Sequence, residues 1–251
     1  MLRVPSLLCV AIWLLGDPLV LRAEAPDLSP SLPFVLLDVN FDSEQIGAPP
    51  KRLTKKQLEE QGKDGAALES FPRRSHDAAL WLTRTRYLTV EDAACGLSLK
   101  PVVLTFEECR QPHYGPQLNF ALPNAIAKVG KLYSLTLDVA KNNCAQAGGF
   151  SLGEVASVTF TEEGAVLLNR CQVGHFTPGV PLHFQFEINA QEKTVTVIID
   201  GNIQGKFTAP WLRPNGVFRG VRLDGLLPGS FARGAGKIAF DNIKLTLTEV
   251  L

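Results

Sequence analysis

Residues 180–207 alternate apolar and polar side chains with a period of two, and that pattern fits little besides an antiparallel β meander. Leu182, Phe184, Phe186 and Ile188 alternate with His183, Gln185 and Glu187, which turns one face of the segment toward a core. Asn189, Ala190, Gln191 and Glu192 make a polar break. Val195, Val197 and Ile199, set against Thr194, Thr196 and Ile198, form a second strand. Asp200-Gly201 is a strong hairpin turn, because glycine accepts positive φ without steric cost. A third short strand at 203–207 turns back.

The rest of the chain repeats this grammar. Strands are expected at 34–41, 80–90, 97–106, 117–122, 132–139, 217–223 and 237–250, with a hairpin at 155–161 and 165–169 around Glu162-Glu163-Gly164. The glycines and prolines fall between these segments, as turns require. No segment after residue 62 shows a sustained helical stripe. A dozen or so short antiparallel strands predict an all-β fold, a two-sheet sandwich or jelly roll, because two packed sheets bury each other's apolar faces and protect their edges. Two segments stand apart. Residues 26–33 read as a Pro/Ser linker. Residues 51–79 are polar and charged; Thr54 with Gln57 resembles a capping box closed by Gly62, which predicts one short surface helix or, equally, a disordered insert.

The chain has 251 residues, with 25 Lys and Arg against 25 Asp and Glu. Zero net charge speaks against a nucleic-acid partner and against polybasic docking to a membrane. Residues 1–25 carry an export signal pattern: Arg3, an apolar run over 4–15, a break at Gly16-Asp17-Pro18, and cleavage after Ala23 or Ala25. The run is too short to span a bilayer comfortably, so a secreted, periplasmic or cell-surface protein is expected, with no membrane association after cleavage. Cys9 leaves with the signal. The remaining Cys95, Cys109, Cys144 and Cys171 suggest disulfides. Of three pairings, Cys95–Cys109 and Cys144–Cys171 join nearest neighbours. No CxxC spacing supports a zinc site.

Local catalytic signatures are absent. Glu162-Glu163 and Glu107-Glu108 are adjacent, and consecutive strand residues point to opposite faces. His76, His113, His175 and His183 are scattered, with no HxH or HExxH. Neither GxSxG nor a phosphate-binding glycine loop occurs.

Two stretches carry a resemblance: EINAQEKTVTVIIDGNIQG, and the C-terminal GKIAFDNIKLTL at 236–247. Together with the opening VNFDSEQIGAPP, they resemble laminin-G-like and concanavalin A-like lectin/glucanase domains over 34–251. That resemblance implies two curved sheets whose concave face or rim often holds sugar. Its members include inert recognition modules, glycosidases and polysaccharide lyases. The Glu-x-Asp-x-x-Glu strand of laminarinase-type members is missing here, so no catalytic residue is assigned. Resembling domains often hold structural calcium where first and last strands meet, which would draw on Asp42, Glu44 and Asp241; otherwise Asp241 and Asn242 satisfy backbone groups at a bulge. Sugar contact would draw on Trp81, Tyr87 and Trp211 as stacking platforms, with Arg219 and Arg222 beside them. The expected function is a non-catalytic carbohydrate-binding or cell-surface recognition module that needs no cofactor beyond structural calcium. A glycoside hydrolase or lyase with carboxylates from separate strands is the alternative, and an adhesive protein-binding module a third.

Overall fold

The computed structural model describes residues 33–50, 69–71, 88–106, 109–113, 116–121, 130–144, 148–153, 155–208, 218, 220–225, 230–232 and 234–250. They form a sandwich of two antiparallel sheets, with no helix among the described residues.

The first sheet runs in the order β14 (Asn202–Thr208), β13 (Thr194–Ile199), β12 (Leu182–Asn189), β7 (Gly130–Lys141), β17 (Gly236–Val250), β4 (Val102–Phe106) and β3 (Leu88–Val90). β1 (Phe34–Val39) also pairs with β17. The 180–207 meander therefore makes one flank of this sheet. Its Asp200-Gly201 turn has φ of 49° and 78°, the doubly positive geometry whose twist matches the flanking strands. The expected closure of the chain's first strand on its last is present: Phe34 lies opposite Leu247 and Val39 opposite Ile243. β17 serves three partners. One edge bonds β7; the other bonds β4 over its first half and β1 over its second. The exchange falls at Asp241 and Asn242, where the β7 register shifts and Asn242 takes φ 49°.

The second sheet runs β11 (Cys171–His175), β10 (Ala165–Leu168), β9 (Ala156–Phe160), β8 (Gly149–Leu152), β15 (Gly220–Asp224), β6 (Gln117–Ala121) and β2 (Glu69–Phe71). β5 (Cys109–His113) and β16 (Ser230–Ala232) form a separate pair. The 155–169 hairpin is β9 and β10. The segment read as a helix or insert contributes a strand, β2; the rest of it lies outside the described residues. The strand expected from residue 97 begins only at Val102, because residues 91–100 fold back across the outer face of the first sheet. Cys95 and Gly96 take φ of 56° and 100° there, and Lys237 clamps Glu91 at 2.7 Å.

The apolar inner faces meet in one core. Phe150 of β8 stands edge-on to Phe184, Phe186 and Phe240 of the opposite sheet, at 5.4, 5.7 and 6.2 Å between centroids. At one end Lys141 is 1% exposed. Its ammonium lies 5.7, 5.5 and 5.3 Å from the ring centres of Phe106, Phe160 and Phe176.

The disulfide expectation is corrected: Cys95, Cys144 and Cys171 are free thiols. Cys95 packs against Ala140, Val103 and Ala239 on the outer face of the first sheet, and its thiol donates to the Lys237 carbonyl at 3.7 Å. Burial, and then Glu91, push that thiol up to about 11. Cys144 lies against the core after β7, whereas Cys171 is exposed at the start of an edge strand of the other sheet. Nearness in sequence misled because turns carry consecutive segments to different sheets.

Candidate functional site: the outer face of the second sheet

In β6, β15, β8 and β9, core residues alternate with polar ones. Leu118, Phe120, Val221, Leu223, Phe150, Leu152 and Val158 join the core. Gln117, Asn119, Arg222, Asp224, Ser151 and Ser157 occupy the intervening positions, on the outer face. Register then sets them side by side. Asn119 lies opposite Arg222, Arg222 opposite Ser151, and Ser151 opposite Ser157, while Gln117 lies opposite Asp224 in the adjacent row. The row continues to Asn169, whose Oδ1 accepts from the Ser157 amide at 2.7 Å. Gly149 stands opposite Asp224 and Thr159. A Cβ there would overlap the Val158 carbonyl oxygen, so this position beside the carboxylate stays bare.

Arg222 and Asp224 form the centre. The Arg222 Nε donates to both Asp224 oxygens at 2.9 Å, and its Nη2 donates to Ser151 Oγ at 3.1 Å. Ser151 in turn donates to Asp224 Oδ2 at 3.4 Å. Asp224 is fully buried, and the Arg222 side chain is 22% exposed. Burial pushes the Asp224 carboxyl up to about 7, against the pull of Arg222, Ser151 and Gln117. The carboxylate is therefore a base for the arginine to stand on, and the arginine is what the face presents. Gln117 approaches Asp224 closely enough to favour its charge, but outside hydrogen-bond geometry: its Nε2 is buried and without a hydrogen-bond partner, as is Asn169 Nδ2. A buried donor left unpaired costs about 1–3 kcal/mol, and such groups call for a ligand, ion or water.

The outer face of the first sheet carries a second polar group. Asp138 Oδ1 lies 2.6 Å from His183 Nδ1, and its Oδ2 accepts from Asn242 Nδ2 at 2.7 Å. Asp241, opposite Asp138, is pushed up to about 6 by burial, then by Asp42 and Asp138, while its backbone bond to Asn242 acts the other way. Asp42 and Asp241 thus come within electrostatic reach, as closure of the sheet requires. The third charge there is Asp138, which sequence reading missed, and Glu44 is not among the charges acting on Asp241. Among the described residues no three His, Cys, Asp or Glu side chains form a group that could hold a metal ion.

Of the sugar-contact residues expected from sequence, Arg222 stands at the centre of the polar row. Trp81, Tyr87, Trp211 and Arg219 lie outside the described residues. Gln117, Asn119, Ser151 and Asp224 were not singled out. Their signal was a polar residue between apolar neighbours in LNF, FSL and VRLD, but the pairing that unites them is not local.

No family model matches the chain, and no curated protein matches its sequence. Solved structures do match. A double mutant of alginate lyase Aly36B in complex with alginate trisaccharide aligns with a TM-score of 0.53 and 13% identity, over 87% of this chain and 100% of that one. Aly36B itself aligns with a TM-score of 0.51 and 13% identity, over 86% and 97%. A sialidase aligns with a TM-score of 0.48 and 10% identity over 73% of this chain, which spans 19% of the sialidase's length. The lyase alignments show the β-sandwich fold of the chain.

Proposed function

We propose that this protein binds polysaccharide on the outer face of its second sheet, as a recognition module of concanavalin A-like type. The observation that carries this reading is the polar row itself: a buried, partly unsatisfied set of hydrogen-bonding groups on a sheet face that owes nothing to the core. Polysaccharide is the ligand class that pairs many hydroxyl and ring oxygens with such a row. The complex of Aly36B with an alginate trisaccharide supports a sugar polymer as ligand for this sandwich. Trp81, Tyr87, Trp211 and Arg219 are proposed as further sugar contacts, and export rests on residues 1–25. Structural calcium has no ligand set among the described residues and forms no part of the proposal.

Binding is favoured over hydrolysis by one feature. A retaining glycosidase holds two carboxyls about 5–5.5 Å apart and an inverting one about 6.5–9.5 Å. Among the described side chains the row offers Asp224 alone, and it is fully buried beneath Arg222. Affinity electrophoresis through gels containing different polysaccharides tests the reading. At least one polymer is expected to retard the protein, with no new chain ends released on long incubation. Trp81→Ala with Trp211→Ala is expected to weaken retardation at least three-fold, through loss of stacking surface. Migration unaffected by every polymer would dismiss the reading; steady release of chain ends would replace it with the enzyme alternative.

A further inference from the structure

We propose that Gln117, Ser151, Asp224 and Arg222 form a proton-operated switch in the second sheet: on acidification Asp224 takes up a proton, donates it in a hydrogen bond to the amide oxygen of Gln117, and releases the Arg222 guanidinium toward solvent. The switch goes beyond polysaccharide recognition and holds whatever the face binds.

The geometry provides for this carboxyl in two states. An ionised carboxylate has about four lone-pair sites and only accepts. Asp224 is fully buried, yet a single N–H, that of Arg222 Nε, serves both its oxygens at 2.9 Å. A guanidinium gripping it in bidentate fashion would bring two N–H groups; here Nη2 is turned instead to Ser151 Oγ at 3.1 Å. Ser151 stands off from Asp224 Oδ2 at 3.4 Å. The remaining neighbour is Gln117, opposite Asp224 in the β6–β15 ladder, 6% exposed, with its Nε2 unpaired. A buried charge is thus short of donors while a buried donor beside it goes unused, and each costs stability. One proton on Asp224 and a half-turn of the Gln117 amide remove the buried charge and give the amide a partner: the acid O–H donates to Gln117 Oε1. The attraction that held Arg222 inward is then gone, and its side chain, already 22% exposed, has solvent to turn to.

The surroundings leave the exchange to these four residues. Gln117 and Asn119 face the carboxyl's row from β6, Ser151 from β8 and Ser157 from β9, and none of them titrates. Among the described residues Arg222 is the one charge acting on Asp224. Burial pushes the carboxyl up to about 7, against Arg222, Ser151 and Gln117, which sets the exchange near neutrality. An unfolded aspartate titrates near 3.9. Between about 4 and 7 the folded chain therefore holds the proton that the unfolded one has lost, and stability falls as pH rises through that window.

NMR of the full chain, with 13C-labelled aspartate and 15N-labelled arginine and glutamine, tests the switch by titration from alkaline to acid pH. The Asp224 carboxyl signal is expected to titrate with a midpoint near 7, and the Arg222 Nε and Gln117 side-chain amide signals to shift with the same midpoint. Asp224→Asn, fixed in the uncharged state, is expected to hold both signals still and to lose the fall in urea stability between pH 5 and 7. Should that variant fail to fold, the titration of the unaltered protein carries the test alone. An Asp224 carboxyl that stays ionised down to pH 5 overturns the proposal. Protonation of Asp224 with the Arg222 and Gln117 signals unmoved overturns it as well, because the carboxyl is then a buried acid in a fixed setting.

Discussion

Phe150→Ala is expected to lower the unfolding free energy by about 3–5 kcal/mol, the cost of emptying a large buried aromatic site. Among the described residues, Phe150 is the ring of the second sheet that meets three rings of the first, all edge-on or nearly so. It is fully buried, as are Phe184, Phe186 and Phe240. Truncation removes the transfer free energy of the ring, three aromatic contacts, and packing from both sheets at once. The hole cannot close easily, since its walls are set by strands held on both edges: β8 lies between β15 and β9, and β12 between β13 and β7. Phe150→Leu keeps most of the volume and is expected to lose less than half as much. Urea unfolding followed by tryptophan fluorescence gives both numbers, and equal slopes would keep the comparison sound. A loss under 1 kcal/mol for the alanine variant would mean that the sheets do not meet at this ring.

The fold was legible in the sequence where alternation was clean. β12 reads directly from Leu182, Phe184, Phe186 and Ile188 against His183, Gln185 and Glu187, and the pairing of β13 with β14 was fixed by the two-residue turn at Asp200-Gly201. The joining of first strand to last was also foreseen, from resemblance rather than from any local rule. Strands whose residues are not typical strand formers were missed: Cys109–His113 contains a proline, Gly149–Leu152 opens on a glycine, and Glu69–Phe71 sits in a charged stretch. Tertiary pairing overrides local preference there.

The site was legible in one residue of its centre. Arg222 was picked because its strand follows the proline-rich segment that holds Trp211, whereas its setting depends on Ser151 and Asp224. Asp224 lies two residues on and was within reach of a same-face argument. Ser151 lies 71 residues away, and Gln117 further still. Only β8–β15–β6 adjacency brings them together, and strand order is a long-range choice that no window of sequence reports.

Lys141→Met is expected to stabilise the protein by about 1–3 kcal/mol at pH 7 and to flatten its stability between pH 8 and 10. The ammonium is buried at the end of β7 among Phe106, Phe160 and Phe176. Burial pushes it down to about 8, with Cys144 and Cys95 acting weakly the other way. An unfolded lysine titrates near 10.4. Between those values the unfolded chain binds the proton that the folded one has released, so stability rises with pH through this window. Below about 8 the folded state carries the whole cost of the buried charge, about 3 kcal/mol for a shift of this size. The ring faces offset part of it, at ~0.5–2 kcal/mol for cation–π contact. Methionine has a similar length and adapts its shape, so it can fill the same channel without the charge. Urea unfolding of both proteins at pH 7, 8, 9 and 10 measures the difference directly. A methionine variant that is less stable at pH 7, with an unchanged slope toward pH 10, would show that the aromatic walls fully compensate the ammonium. The lysine would then be a stabilising pin between the two sheets rather than a strain on them.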